Sequence, residues 1–353
     1  MSSTDNDKLG IAIIGCGMIS EFQAKAIQAL PDARVAGFYD AVPDLSGKRA
    51  AEFGARAYRS LDELLDDPSV AATSICTPSG AHLEPAVRSA EAGKHVMVEK
   101  PLEITLERVD AVIDACRKAR VTLGAIFPRR FQDSSRVLKR AIDGGRFGRI
   151  VLGDVYIKWY RTQEYYDKGG WRGTWKLDGG GALMNQGIHG IDLLQWLLGG
   201  IREVAAFAAT LAHERIEVED VASAAVRFQN GALGAIEGTT GSWPGTKIRI
   251  EVGGTGGSAV MEDETILAWR FQDEGPEDEE IRRAYGPREG LSGGGAADPR
   301  AISFEGHRRQ FEDFVRAIRT GTKPTCSGDD ARVAVAIITG IYRSARERKV
   351  IAV

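Results

Sequence analysis

Leu-Gly-Ile-Ala-Ile-Ile-Gly-Cys-Gly-Met-Ile-Ser, residues 9–20, is the stretch that decides the fold. Leu9 to Ile14 is a continuous apolar run, which is typical of a strand buried on both faces of a parallel sheet. A Gly-x-Gly turn follows directly, and the residues from there to Leu30 are compatible with a helix. Strand, turn and helix together are the context that a dinucleotide-binding fingerprint requires.

Two glycines of this turn have separate tasks in such a fingerprint. Gly15 permits the tight turn, and Gly17 lets a pyrophosphate approach the backbone at the helix N-terminus. Ser20 replaces the third glycine, so the motif is looser than G-x-G-x-x-G. The stretch predicts a cofactor loop made of Gly15, Cys16, Gly17, Met18 and Ile19.

An acidic residue after the second predicted strand supports this interpretation. Arg34 to Tyr39 reads as a strand and ends in Asp40, 23 residues after Gly17. A carboxylate there can accept both ribose hydroxyls of the adenosine and would repel a 2′-phosphate, which favours NAD over NADP. Lys48 and Arg49, in the following helix, keep NADP open. Asp40 could also cap that helix, which is compatible with a ligand role.

The rest of the first 127 residues alternates strands and helices. The predicted strands are Ala72 to Cys76, His95 to Val98 and Val121 to Phe127, and the predicted helices are Leu61 to Leu65, a segment ending at Ala92, and Leu106 to Ala119. This alternation predicts a doubly wound parallel sheet in a domain of residues 1–127. Ligands bind such sheets at the carboxyl ends of the strands. The residues at those ends are Gly15, Asp40, Thr77, Lys100 and Phe127.

Lys100 is the most informative of these residues. It lies in the stretch Lys94 to Pro101, shortly after a predicted strand and directly before the proline, and a Lys-Pro bond suits a loop edge better than a sheet interior. A solvated lysine at a strand end is the simpler interpretation of this stretch by itself.

Length and composition bound the possible functions. The chain has 353 residues, enough for two domains, and its 43% apolar and 27% charged residues are ordinary for a soluble globular protein. A net charge of −3 gives no support for nucleic acid or an anionic membrane as a partner, and no apolar run approaches the ~18 residues of a membrane span. The N-terminus lacks a signal-peptide core. The four cysteines have no metal-ligand spacing, so we expect reduced thiols in a cytoplasmic protein without a metal site.

Residues 128–353 predict a second domain of the α+β class. After a helix near Ser134 to Ile142, the predicted strands are Ile150 to Trp159, Val221 to Phe228, Ala232 to Thr239, Lys247 to Val252 and Ile266 to Phe271. Asn230-Gly231 predicts a hairpin between the second and third of these. One face of this large, mostly antiparallel sheet needs a cover, so we expect a homodimer or homotetramer formed through it.

Two further features of this half are expected from composition and periodicity. Gln272 to Arg300 is acidic and glycine-rich, which predicts a solvated excursion from the fold. Two amphipathic helices, His307 to Arg319 and Asp330 to Arg346, close the chain and are expected to pack back on the first domain.

A polar stripe follows the glycine run 179–181. Asn185, His189, Asp192 and Trp196 are spaced i, i+4, i+7 and i+11, so they share one helix face. A lone helical histidine is more often part of a core than of an active site. An amide, an imidazole and a carboxylate beside a glycine-rich approach favour a functional role.

Three motifs of the chain resemble those of the Gfo/Idh/MocA oxidoreductases, the family of glucose-fructose oxidoreductase and inositol dehydrogenase. These are Gly15-Cys16-Gly17, Cys76-Thr77-Pro78-x-x-x-His82 and Glu99-Lys100-Pro101. The resemblance spans almost the whole chain and is weakest at residues 272–300. It implies that Lys100 reaches both the nicotinamide and a substrate hydroxyl, and that the Lys100-Pro101 bond is cis. Further cofactor contacts are implied for Thr77, Pro78, Ser79, His82 and Glu99.

The same resemblance assigns roles in the second half. The family places its acid/base histidine one turn after an Asp, but Asn185 stands at that position here. Since an amide cannot shuttle a proton, proton transfer falls to His189 and Lys100, and Asn185 is left to orient a substrate hydroxyl. We expect Asp192 to tie the helix to a nearby arginine.

An aromatic and basic loop precedes the glycine run. Trp171-Arg172 resembles a Trp-Arg element that touches the cofactor in the family, although a loop packed on the sheet is an equal alternative. Arg129, Arg130 and Arg161, together with aromatic faces such as Tyr166, suit a sugar with an anionic group, because aromatic rings stack on pyranose faces and arginine binds carboxylate or phosphate.

The predicted activity is a hydride transfer between NAD and a secondary hydroxyl of a sugar, polyol or nucleotide-sugar. Nucleotide-linked uronic acids, simple sugars and inositols all remain open as substrates. Two different classes also remain open because fold does not decide function. One is a glycosidase or epimerase-like catalyst with tightly bound NAD, and the other is a non-catalytic NAD-binding sensor.

Overall fold

The computed structural model of the protein describes residues 8–287 and 303–353. These residues form two compact units. The first extends to Pro128 and includes Ser303–Arg332, and the second begins at Arg129 and includes Val333–Val353. Of the helices in the described part of the chain, none has the length and apolar character to cross a membrane.

The described strands number fourteen. They are β1 (Leu9–Ile14), β2 (Ala33–Tyr39), β3 (Arg56–Ala57), β4 (Ala72–Ile75), β5 (His95–Val98), β6 (Leu123–Ala125), β7 (Ile150–Lys158), β8 (Ile201–Ala209), β9 (Val221–Phe228), β10 (Leu233–Thr239), β11 (Arg249–Gly254), β12 (Gly257–Glu262), β13 (Thr265–Phe271) and β14 (Ile351–Ala352). They form two sheets, of six and eight strands.

Eleven α-helices lie within the described residues. They are α1 (Met18–Gln28), α2 (Pro43–Phe53), α3 (Leu61–Asp66), α4 (Leu83–Glu91), α5 (Leu106–Ala119), α6 (Asp133–Asp143), α7 (Gln163–Asp167), α8 (Ile188–Leu198), α9 (Pro276–Tyr285), α10 (Glu305–Thr320) and α11 (Gly328–Glu347).

The first unit is a Rossmann-type domain. Its six strands are all parallel and lie in the order β3-β2-β1-β4-β5-β6, the doubly wound arrangement that the sequence predicts. Helix α10 packs against α1, and its Phe311, Phe314 and Val315 enter the same core as Ile11 and Ile13 of β1. Helix α10, from the C-terminal part of the chain, is therefore part of the core of the first unit.

The second unit is built on an eight-stranded sheet in the order β13-β12-β11-β7-β10-β9-β8-β14. Only the β7–β10 pair is parallel, and the predicted hairpin at Asn230-Gly231 joins β9 to β10. Helix α8 packs on β7 and β11, where Gly190 lies against Val155 and Ile157. The large, mostly antiparallel sheet of the prediction is confirmed.

Some predicted boundaries were wrong for identifiable reasons. The predicted strand Val121 to Phe127 is shorter, because the Phe127 N–H donates to Oε1 of Gln310 at 2.9 Å instead of to a strand. Four strands, β3, β8, β12 and β14, were not predicted. Strands β3 and β14 have only two residues each, too few for a pattern. Strand β8 is rich in alanine and β12 contains glycine, so neither shows a strong alternation of apolar and polar residues.

The acidic stretch from Gln272 contains a packed helix where a solvated excursion was expected. Asp278 in α9 is buried, accepts a hydrogen bond from Nε1 of Trp269 at 2.7 Å and pairs with Arg146 at 2.6 Å. The acidic composition of this stretch did not reveal that one of its acids, Asp278, is buried. The part of the expected excursion from 288 to 300 lies outside the described residues.

Candidate active site

The turn after β1 has the shape that a pyrophosphate requires. Gly15 has a φ of +94°, and a Cβ there would lie 2.7 Å from backbone atoms of Cys76 and Thr77, so only glycine fits. A Cβ on Gly17 would meet no atom within 4 Å, which leaves open space at the start of α1. Ser20 is buried, and its hydroxyl donates to the Gly17 carbonyl at 2.6 Å, so the serine in place of the third glycine stabilises the turn.

Asp40 lies beside this turn. Its Oδ2 accepts from the Cys16 N–H at 2.7 Å, and its Oδ1 accepts from the Val42 N–H at 2.8 Å, next to the start of α2. The carboxylate thus joins the first turn to the end of β2. Arg49, which had kept NADP open, pairs with Glu21 at 3.3 Å and with Glu52 at 2.6 Å.

The segments after β4 and β5 are tied together by a buried histidine. Nδ1 and Nε2 of His82 lie 2.9 Å from the carbonyl oxygens of Pro101 and Thr77, respectively. Burial lowers the pKa of His82, so the ring favours its neutral form. His82 supports these two loops from inside the unit.

The Glu99-Lys100-Pro101 motif follows β5 directly. Its Lys100-Pro101 peptide is cis, as the family resemblance implied. Glu99 is buried, and burial raises its pKa. Its Oε2 accepts from the Lys100 N–H at 3.0 Å, and its Oε1 accepts from the side chain of Gln23 at 2.7 Å. The buried side chain of Glu99 therefore holds the backbone of Lys100 in place.

A histidine from the C-terminal part of the chain faces the same motif. His307 in α10 is buried, with Nε2 3.9 Å from Oε1 of Glu99. Burial, and then the positive charge of Lys100, lower its pKa to about 4. The imidazole of His307 is consequently neutral at physiological pH, so it adds no positive charge beside Lys100.

In the second unit, the predicted polar stripe begins on a π-helical turn, Ala182–Gly187, and continues on α8. Every residue from Gly181 to Gly190 is buried except Asn185 and His189, which are half-buried. Turns of the π type occur often at functional sites. The turn thus presents an amide and an imidazole from an otherwise buried run.

Asp192, the third member of the stripe, is structural. It and Arg130 are both buried and form two hydrogen bonds, at 2.8 Å from Nε and at 2.5 Å from Nη2 of the arginine. The guanidinium also lies 5.7 Å from the ring of Trp196. The expected tie from Asp192 to an arginine is confirmed, and Arg130 is engaged in this pair.

Two buried acids hold the turn that carries Asn185. Oδ1 of Asp178 accepts from the Asn185 amide at 2.6 Å, and its Oδ2 accepts from the Gly173 N–H at 2.9 Å. Glu219 accepts from the backbone N–H groups of Gly181 and Leu183 at 2.8 and 2.9 Å.

The aromatic and basic loop is a stack of alternating guanidinium groups and rings. Arg161 lies 5.0 Å from the ring of Trp159 and 5.6 Å from that of Tyr165, and Arg172 lies 4.6 Å from Tyr165 and 5.1 Å from Trp171. Gln186, next to Asn185, donates to the Tyr165 hydroxyl at 3.2 Å. The stack therefore adjoins the turn that carries the candidate catalytic amide.

Tyr166 and Arg129, both predicted to bind substrate, already have protein partners. Tyr166 is buried, and its hydroxyl lies 2.9 Å from that of Thr240. Arg129 donates to Asp263 at 2.8 Å. These contacts favour a role in shaping the loop, and direct substrate contacts by either residue stay predictions.

Comparison with known proteins identifies the family. Residues 9–127 match the oxidoreductase family with an NAD-binding Rossmann fold, and residues 135–260 match the GFO/IDH/MocA C-terminal domain. The chain belongs to the GFO/IDH/MocA oxidoreductase family. The resemblance inferred from the three sequence motifs is confirmed.

Relatives of this GFO/IDH/MocA protein act on several sugars and cyclitols. Myo-inositol 2-dehydrogenase of Thermotoga maritima is 28% identical over 96% of this chain and 97% of the relative. Levoglucosan dehydrogenase of Pseudarthrobacter phenanthrenivorans is also 28% identical, over 96% of each chain. The crystal structure of the WlbA dehydrogenase from Bordetella pertussis, in complex with NADH and UDP-GlcNAcA, is 34% identical, covers 99% of both chains and has a TM-score of 0.90.

The first unit of this GFO/IDH/MocA protein fits the cofactor of its family. The open space at Gly17, the α1 N-terminus and the Asp40 carboxylate together suit a pyrophosphate and a ribose. The predicted contacts from Met18 and Ile19 fall on the first turn of α1, and that from Ser79 falls on a 3₁₀ turn, Ser79–Ala81, after β4. Their contacts with the cofactor, like those of Pro78, Trp171 and Arg172, stay predictions.

Five residues that support the site were not predicted from the sequence: Gln23, Asp178, Glu219, His307 and Tyr342. The last of these donates its hydroxyl hydrogen to Glu219 at 2.8 Å. Each is buried and acts on another residue of the site. Asp178 directly precedes the glycine run, which was a usable signal. The others lie far along the chain from the groups they hold, so no local spacing reveals them.

Proposed function

We propose that the protein is an NAD-dependent dehydrogenase that oxidises a secondary hydroxyl of a sugar-like substrate. The observation that carries the proposal is that Asn185 and His189 are the two residues of the buried run 181–190 that are partly accessible. In the first unit, Glu99-Lys100-Pro101 follows β5 directly. Membership of the family supports the reaction class, and the buried support of both motifs favours chemistry over simple binding.

The residues divide the chemistry of alcohol oxidation between them. A bound NAD would supply a hydride acceptor at C4 of its nicotinamide, so the product would be a ketone. Lys100 stabilises the negative charge that develops on the substrate oxygen, and His189 takes the hydroxyl proton. Asn185 orients that hydroxyl, because an amide can hydrogen-bond but cannot carry a proton.

NAD is proposed as the cofactor in preference to NADP. The Asp40 carboxylate beside Cys16 would repel a 2′-phosphate. Arg49 is neutralised by Glu21 and Glu52.

The proposed substrate is a nucleotide-linked uronic acid. This choice is supported by the 34% identity to a dehydrogenase crystallised with UDP-GlcNAcA and by the stack of Arg161 and Arg172 with aromatic rings. Such a stack suits a pyranose that carries a carboxylate or phosphate. Contacts of Arg161, Tyr166 and Arg129 with the substrate are part of this proposal.

A substrate panel tests both the class and the substrate. Absorbance of reduced nicotinamide is followed with NAD and either UDP-GlcNAcA, myo-inositol or levoglucosan. We expect reduction with UDP-GlcNAcA. Reduction with free sugars or inositol alone would overturn the uronate assignment, and no reduction with any member of a wide panel would overturn the dehydrogenase assignment.

We also propose a cytoplasmic homodimer or homotetramer. The outward face of the large sheet exposes Leu152, Phe207, Leu233 and Leu267, and Leu152 pairs with Leu233 across β7 and β10. Exposed apolar side chains on a sheet face favour self-association. All four cysteines are buried free thiols, which suits a reducing compartment. Light scattering tests the assembly: L152D/L233D should lower the mass of the particle, and a wild-type monomer would contradict the proposal.

A further inference from the structure

Glu219 is a buried carboxylate on which three donors converge. Its Oε2 accepts from the Gly181 N–H at 2.8 Å, and its Oε1 accepts from the Leu183 N–H at 2.9 Å and from the Tyr342 hydroxyl at 2.8 Å. Its backbone carbonyl also accepts from the Ala182 N–H at 3.0 Å. A single residue therefore holds three consecutive residues, 181–183.

The glycine run is shaped to receive these groups. A Cβ on Gly181 would lie 1.8 Å from the Glu219 carbonyl oxygen, and one on Gly180 would lie 2.2 Å from the Tyr342 hydroxyl. Since no side chain fits at either position, the glycines allow the chain to lie directly against Glu219 and Tyr342.

The held residues begin the turn that carries the candidate catalytic amide. Gly181 precedes the π-helical turn Ala182–Gly187, and its carbonyl accepts from the Asn185 N–H at 3.0 Å. A π-helical turn is uncommon and needs support from its surroundings. Fixing its first residues fixes Asn185 and the start of α8, where His189 lies.

We propose that Glu219, held by Tyr342, is a positioning residue that fixes the turn carrying Asn185 and leading into His189. The inference rests on the proposed function, in which these two residues act on the substrate. Glu219 has no assigned part in the proton transfer itself.

The charge state of Glu219 matters for this task. An ionised carboxylate accepts all three hydrogen bonds. In the protonated form, one oxygen carries a hydrogen that faces an N–H or O–H donor, so the three hydrogen bonds cannot all be kept. Burial raises the pKa of Glu219 to about 7, against the effect of the hydrogen bonds from Leu183, Tyr342 and Gly181. The titratable groups around it are Tyr342, whose pKa burial and Glu219 raise, and Asp178, which acts on Tyr342. Protonation of Glu219 near neutral pH thus loosens the turn.

Three variants test the proposal in the full-length protein. E219Q keeps the size of the side chain but replaces an acceptor by a donor. Y342F removes one donor to the carboxylate. D278N is the matched control, because Asp278 in α9 of the same unit is also a buried carboxylate that receives three donors, from Gly275, Trp269 and Arg146.

We expect E219Q to lower kcat by at least ~10-fold with an unchanged NAD Kd, because misplaced catalytic groups slow the reaction without weakening a cofactor held elsewhere. D278N should lose thermal stability and keep kcat within about twofold. Y342F should move the acid limb of the kcat profile to higher pH by about half a unit or more, since it removes a hydrogen bond that lowers the pKa of Glu219. A normal kcat in E219Q, or an unmoved acid limb in Y342F, would overturn the proposal.

Hydrogen exchange separates this proposal from the proposed function. Faster amide exchange in residues 181–190 of E219Q, with D278N unchanged there, supports the positioning role whether or not a substrate is turned over. Equal exchange in the two variants overturns it. If the wild-type protein oxidises no sugar while E219Q shows faster exchange, the proposed function fails and the role of Glu219 in holding the turn stands.

Discussion

The side-chain amide of Asn185 donates a hydrogen bond to Oδ1 of Asp178 across 2.6 Å. Asp178 is buried and is itself held by the Gly173 N–H at 2.9 Å. The amide nitrogen of Asn185 is thus turned toward the acid, which fixes the orientation of the whole amide. Where many members of the family have an Asp, this chain has an Asn whose orientation a second acid sets.

Replacing Asn185 by Asp should make the enzyme sensitive to alkaline pH. Two carboxyl groups would lie within hydrogen-bonding distance, so they would share a proton, and raising the pH would force both to ionise. We expect N185D to retain activity at acidic pH and to lose at least ~10-fold in kcat at higher pH by the loss of substrate orientation. The kcat profile against pH measures this. D178N/N185D is the control, since it restores one acid and one amide; an alkaline loss that persists in the double variant would contradict the account.

Asp40 should set the choice of cofactor. In D40S, the NAD Kd should rise by ~10-fold, because two ribose hydroxyls lose a charged acceptor, and NADP should bind better than it does to the wild type. Titration of each dinucleotide by fluorescence gives both values. D44A, an exposed acid in the first turn of α2, is the control and should leave both unchanged. Equal NAD affinity in D40S and the wild type would remove Asp40 from the cofactor site.

The Arg130–Asp192 pair should be important for stability. Both side chains are buried, so D192N deprives the buried guanidinium of the negative charge of Asp192 and should lower the free energy of unfolding by about 3–5 kcal/mol. Denaturant unfolding measures the loss. R130M/D192L removes both charges and should be less destabilised than D192N, whereas an equal loss in the two proteins would indicate lost packing instead of a lost ion pair.

Glu219 gives a stability effect of known sign. Its pKa is about 7 in the folded protein and about 4.5 when unfolded. The folded value is the higher one because burial of the charge outweighs the hydrogen bonds that favour the carboxylate. The free energy of unfolding therefore falls as the pH rises from ~4.5 to ~7, although the ionised form is the one that accepts all three hydrogen bonds at the turn. The difference between wild type and E219Q, measured in urea at pH 5, 6 and 8, should therefore shift in favour of E219Q as the pH rises. A difference independent of pH would mean that Glu219 does not titrate in this range.

The sequence predicted the elements whose signals are local. The apolar run at β1, the turn at Gly15 and the hairpin at Asn230-Gly231 each depend on a few adjacent residues, and each was confirmed. Asn185 and His189 stood out by their spacing. The groups that support them could not be predicted this way, since Tyr342 is 123 residues from Glu219 and His307 is more than 200 from Glu99. Their contacts arise only when distant segments pack together.

Arg130 shows a second limit of the sequence. The sequence suggested that Arg130 binds an anion together with Arg129 and Arg161, yet its guanidinium is buried against Asp192. The chemistry of an arginine does not reveal whether its partner is a ligand or another side chain. In the same way, the acidic residues around Asp278 predicted a solvated stretch, whereas Asp278 accepts a hydrogen bond from the buried Trp269.

The most direct test of the central claim is single-turnover oxidation by K100M loaded with NAD. The variant keeps the volume of the side chain and removes the charge that stabilises the substrate oxygen. We predict that K100M still binds NAD and reduces it at least ~10²-fold more slowly in the presence of UDP-GlcNAcA or whichever sugar proves active. NAD reduction at the wild-type rate would contradict the account.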